Sequence, residues 1–332
     1  MEEEIPKRNV HVFSASDGKE VAGFFQHGGV SISTFVKWIN DVCYIPVDWT
    51  LYPCQFDNNR AIGGEALDST STGEIQPGRY VIQPATPESE QISVFLTPDT
   101  PRARAFSGNY TYTPDDTNFV KRIRSRDARC CITGERVPGG VASRNYTGFE
   151  AAHIFPLNET DIWNGLGYKR FIQDDEIDPG FELNSIQQGF LCSSTEHRLF
   201  GEYSIGVNPA DGYRIYDFVG RDPSRSPHGK FFYRKPGLEQ RYLPSPELLR
   251  DHFHQCILRH VKGAAEATEP ERYFDPDIDL GAGGFNLVTG SWWSSSNGKK
   301  QLEAELAGRL WGVVNAQNRL QSSSDQQESQ QS

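Results

Sequence analysis

FEAAHIFP at residues 149–156 and GFLCSSTEHRLF at 189–200 decide how this 332-residue chain is read. The first is an apolar run with a single imidazole, His153, and it stops at Pro156, which cannot donate to a strand ladder. That pattern predicts a short strand with a histidine near its end. In the second stretch GFLC reads as another strand, Ser193 and Ser194 suit a helix N-cap, and His197 falls on the first turns of the helix that follows. RCCITG (129–134) adds a short β-like segment closed by a turn glycine. The spacing predicts strand with histidine, strand, then helix with histidine, a unit expected to present both imidazoles to one point. The plain alternative for each is a packed, hydrogen-bonded histidine.

Outward from this unit the chain divides by pattern. Residues 1–115 read as a β-rich α+β domain. VHVF (10–13) is a strand, Ile32, Phe35, Val36, Ile39 and Cys43 mark an amphipathic helix capped by Ser31 or Ser33, and 55–77 is a polar loop. GRYVIQPA and QISVFLTPD are expected to pair as a hairpin. Residues 116–222 hold the histidine unit with a long polar insertion. Residues 223–315 form a helical extension in which Ser245 caps a helix beginning at Pro246, and a second amphipathic helix runs through Leu302, Leu306, Leu310 and Val313. His252 and His254 fall on different sides of the first of these helices and are expected at the surface or partly packed, while His11 and His27 are taken as structural or surface residues. The tail 316–332 is low in complexity and expected to be disordered.

Composition limits the function classes. Hydrophobic residues make up 36% of the chain, enough for a real core. No run approaches the ~20 apolar residues of a membrane helix, and the acidic N-terminus is not a secretory signal. The expected location is intracellular, cytoplasmic or nuclear, where six cysteines are thiols. No C-x-x-C pair spells a zinc ribbon. The net charge of −11 offers no global attraction to nucleic acid, so DNA binding must use a local patch. KRIRSRDAR (121–129) is one, although 121–222 as a whole carries 12 Lys/Arg against 15 Asp/Glu.

Together RCCITG, AAHIFP and GFLCSSTEHRLF resemble the HNH nuclease superfamily, most closely its fungal branch. SIGVNPADGYRI (204–215) extends the likeness. The resemblance implies an α+β protein whose core is a ββα-metal unit holding one divalent ion, Mg²⁺, Mn²⁺ or Ni²⁺. It implies His153 as general base, His197 as metal ligand or second catalytic group, and Arg124, Arg126 and Arg129 on phosphate. Three positions depart from the pattern. Gln188 stands where the family has Asn, Gly201 replaces an acidic residue, and Ala152 precedes His153 where several branches bind metal. Gln188 and Glu150 are therefore carried as further metal ligands, with Asn158 and the acidic run Asp174, Asp175, Glu176 and Asp178 behind them.

Three functions stay open on these residues. The first is a metal-dependent phosphodiesterase or endonuclease acting on DNA. The second is a metal-free enzyme on the same fold, doing acid/base chemistry such as cyclisation or isomerisation on a small molecule. The third is a non-catalytic interaction module. No membrane partner is expected.

Overall fold

The computed structural model describes residues 8–57, 60–85, 92–102, 104, 114–139 and 145–263. The expected second C-terminal helix, the Gly-, Trp- and Ser-rich segment before it and the polar tail lie outside these residues.

The first half contains β1 (Val10–Ser14), β2 (Glu20–Phe24), α1 (Ile32–Val42), β3 (Cys43–Tyr44), β4 (Trp49–Asp57), β5 (Arg60–Gly63), β6 (Gly78–Pro84) and β7 (Phe95–Leu96). A five-stranded sheet has the order β2-β1-β6-β4-β5, with β1 and β6 parallel. Alternation in VHVFS turns Val10 and Val12 inward. Helix α1 starts where Ser31 accepts the Thr34 N–H at 3.2 Å, and it buries Phe35, Trp38, Ile39 and Val42 on the same core. The hairpin expected from GRYVIQPA and QISVFLTPD does not form. β6 lies between β1 and β4, and Phe95–Leu96 pairs with Cys43–Tyr44. Local pattern marks both stretches as extended, whereas the choice of partner strand is a long-range one. The expected loop also begins later, since β4 and β5 pair as far as Cys54 and Gly63.

The second half contains α2 (Pro114–Asp127), β8 (Phe149–His153), α3 (Thr160–Gly165), β9 (Gly189–Ser193), α4 (Ser194–Gly201), β10 (Ile205–Asn208), β11 (Arg214–Asp217) and α5 (Pro246–His260). β8 and β9 are antiparallel, from Phe149 opposite Ser193 to His153 opposite Gly189. Ser193 caps α4 by accepting the Glu196 N–H. The strand–strand–helix order is the one expected from sequence. RCCITG is not a third strand. It makes one bridge, Arg129 to Arg136, and docks by a Cys131 N–H bond of 2.7 Å to the Leu191 carbonyl.

Helix α5 joins the halves. Leu248 and Leu249 belong to the core around β8 and β9, while Phe253, Cys256 and Ile257 belong to the core under the large sheet. Each fully buried side chain of this size stabilises by roughly 1.5–3 kcal/mol. Gly206 on β10 permits the close approach, because a Cβ there would lie 2.9 Å from both Cys256 Sγ and Phe253 Cδ2. All six cysteines are buried free thiols.

His252 is packed more deeply than the surface or partly packed position expected of it. It is 2% exposed, stacks on Phe200 at 3.5 Å and bonds the Phe200 carbonyl at 2.9 Å. Burial pushes its pKa well below the ordinary imidazole value, with Arg104 adding to the effect. Burial, then Arg259 and Arg8, push His260 down to about 3. These bases are neutral in the fold and take up protons when it opens. Stability is therefore full above the unfolded pKa of ~6.5 and falls as pH drops through it. Between pH ~7.5 and ~5.5 each ring should cost about 1.4 kcal/mol. Urea denaturation at the two values measures the loss, and equal stability at both contradicts it.

Candidate active site

The chemistry-bearing residues gather on the β8–β9 hairpin, but on two faces. Successive residues of a strand point to opposite sides. His153 and Glu150, three apart on β8 in an unbroken register, leave opposite faces. Helix α2 covers the His153 side. Phe119 stacks on the imidazole at 4.0 Å with planes 12° apart. Gly189, opposite His153, makes room for that ring, since a Cβ there would meet Phe119 Cζ at 2.3 Å. Nε2 of His153 lies 3.3 Å from Asn184 Oδ1. An amide oxygen only accepts, so in this contact Nε2 is the donor. The ring is half-buried and held by a stack and a hydrogen bond.

On the other face Glu150 Oε2 lies 2.5 Å from His197 Nδ1. Burial alone raises the Glu150 pKa, but hydrogen bonds from His197 and Ser194 outweigh it and hold the carboxyl below its ordinary range. Two expected ligands thus meet, while His153 and His197 do not. Sequence reading placed both imidazoles at one point because both belong to one compact unit. Strand alternation separates them.

Gln188 is the clearest correction among the expected ligands. Its Oε1 accepts the Phe155 N–H at 3.1 Å and its Nε2 donates to the Phe155 carbonyl at 3.0 Å, with the residue fully buried. Both ends of the amide are committed to the chain that leaves β8. Gln188→Ala should leave two buried backbone groups unpaired and cost about 2–4 kcal/mol. Urea denaturation would show it, and calorimetry should show divalent-metal affinity unchanged. Asn158 is exposed beside Glu159. Asp174 pairs with Arg122 at 2.7 Å and bonds Ser185 and Ile186, so it anchors the insertion to α2. Glu176 also reaches Arg122, and Asp175 reaches Arg241.

Glu150 and His197 supply a carboxylate and an imidazole, both partly exposed. An imidazole with a carboxylate suits a transition ion such as Ni²⁺ or Mn²⁺ better than Mg²⁺, which takes oxygen ligands. Among the described residues, no group of three or more His, Cys, Asp or Glu side chains is placed to hold a metal.

The three arginines expected on phosphate divide. Arg126 is 4% exposed and pinned to Asp127 and to backbone carbonyls, so it is structural. Arg124 lies over Tyr146 at 4.5 Å. Arg129 lies over Tyr233 at 4.2 Å on the wall of an open cleft. Sequence reasoning missed Phe119 and Asn184. The only available signal was the glycine at 189, whose missing side chain admits a ring.

No described helix is long and apolar enough to cross a membrane. No curated protein and no solved structure matches the chain. HNH domains typically bind nucleic acids and are usually metal-dependent. Residues 130–208, a stretch that spans β8, β9 and α4, match the family model described as HNH endonuclease, and this part of the chain is similar to that family.

Proposed function

We propose that the HNH domain hydrolyses phosphodiesters in DNA, with His153 as general base. The observation that supports this most is the held imidazole, stacked on Phe119 and bonded through Nε2 to Asn184. A base held in one orientation removes a proton from an attacking water without first losing rotational freedom. Among the described residues β8 pairs with β9 alone. The substrate has to reach His153 on one face of the hairpin and the Glu150–His197 pair on the other. That pair is where Mg²⁺, Mn²⁺ or Ni²⁺ would be held, and the ion would supply charge stabilisation at the phosphate.

The metal part has its own test. Cleavage of supercoiled plasmid is measured with each ion and with chelator, for the natural chain and for Glu150→Gln and His197→Ala. The proposal expects cleavage only with metal, and a rise in the metal concentration needed for half-maximal rate in both variants. Undiminished cleavage in chelator removes the ion from the proposal. Gln188 and Ala152, which leave two expected ligand positions without a donor, favour a second reading: metal-free acid/base chemistry by His153 on a small molecule. Under that reading no ion binds at Glu150 and His197, and plasmid stays intact.

A further inference from the structure

We infer that the cleft beside the C-terminal end of α2 is a phosphate-binding site built by Arg129, Arg136, Lys235 and Tyr233. The cleft has a volume of about 640 Å³. Arg129 and Arg136 face each other across an antiparallel bridge, so two guanidinium groups leave adjoining positions. Like charges directly opposite on paired strands repel. The arrangement persists without neutralisation: among the described residues no ion pair reaches Arg129, Arg136 or Lys235, in a chain whose carboxylates outnumber its Lys and Arg by 44 to 33. Asp127, the carboxylate on the cleft wall, is committed to Arg126 and to the Leu191 N–H.

The cleft is also held in shape. Arg129 rests over the Tyr233 ring at 4.2 Å, which fixes its fork. Ala128 on the wall has φ of +54°, a left-handed conformation uncommon for alanine. Strain of that kind persists where surrounding structure holds it, and it clusters at binding sites. Here Cys130 N–H to Glu135 carbonyl (2.8 Å) and Val137 N–H to Ala128 carbonyl (3.2 Å) close the loop around it. Three cations, an aromatic ring and an open mouth suit phosphate oxygens. The source is either a nucleic-acid strand or a free polyphosphate. Helix α2 runs from Phe119, at His153, to Ser125, on the cleft wall, about 9 Å along its axis. A strand in the cleft is thus near the proposed base, although binding here does not depend on catalysis by His153.

The test uses the full chain carrying His153→Ala, in chelator, so that binding is read without cleavage. Anisotropy of a labelled single-stranded oligonucleotide and of its duplex is followed over about 50 to about 200 mM salt. Calorimetry with inorganic pyrophosphate forms the second arm. Arg136→Gln with Lys235→Gln alters residues without hydrogen bonds or ion pairs in the fold. It is expected to weaken oligonucleotide binding about tenfold or more and to lower the salt slope by about two. If pyrophosphate binds, the double variant loses it, and strands do not bind at all, the phosphate site stands and its source is a free polyphosphate. Equal binding of both probes by the two proteins, or no binding of either probe, overturns it. Loss of plasmid cleavage is a separate readout and leaves this result untouched.

Discussion

Arg126→Ala is expected to destabilise the protein by about 3–5 kcal/mol. The guanidinium bonds both oxygens of Asp127 at 2.6 and 2.8 Å, the carbonyls of Ile186 and Gly189 at 2.7 Å each, and the Tyr242 carbonyl at 3.2 Å. Asp127 in turn accepts the Leu191 N–H. One side chain therefore ties α2, the end of the insertion, β9 and the approach to α5. Removing it strands a buried carboxylate and leaves several carbonyls unpaired. Arg126→Lys should rescue little, because an ammonium cannot reproduce a planar fork with five donors. Urea denaturation gives the size of the loss, and the folded fraction should bind DNA as before. A drop in DNA affinity with unchanged stability would restore the phosphate role and contradict the structural one.

His153→Ala should lower the rate of phosphodiester cleavage by a factor of about 10²–10⁴, the usual worth of a positioned general base. The loss belongs in kcat, because the proposed role of the imidazole is to take the proton being transferred and not to hold substrate. The fold should survive, since Phe119 rests against Gly189 as well as the histidine. Far-ultraviolet circular dichroism and an unchanged oligonucleotide affinity serve as controls. Asn184→Ala should show a smaller loss of the same kind, because it frees the ring without removing the base.

The hairpin and its helix are legible because each carries a short-range signal: Pro156 ends one apolar run, Gly189 leads another, and Ser193 or Ser194 opens a helix. The cap at Ser245 is legible for the same reason, and those at Ser31 and Ser193 as one of two serines each. Partners brought in from far along the chain were not. GRYVIQPA shows extended backbone but not that β6 would sit between β1 and β4. KRIRSRDAR reads as one basic patch, yet burial splits it into a structural Arg126, a stacked Arg124 and a cleft-lining Arg129. The site followed the same rule. His153, Glu150 and His197 could be named one by one, but the expectation was that the two imidazoles converge, not that Glu150 meets His197. That β8 turns His153 away from both required the strand register. Asn184 arrives through a long insertion whose polar sequence gives no warning of it.

The most direct measurement is the initial rate of nicking of supercoiled plasmid by the purified full chain, with Mn²⁺, run beside His153→Ala at equal folded concentration. Steady nicking by the natural chain and none above background in the variant is the predicted result. Equal rates in the two proteins would contradict the assignment of His153 as the base.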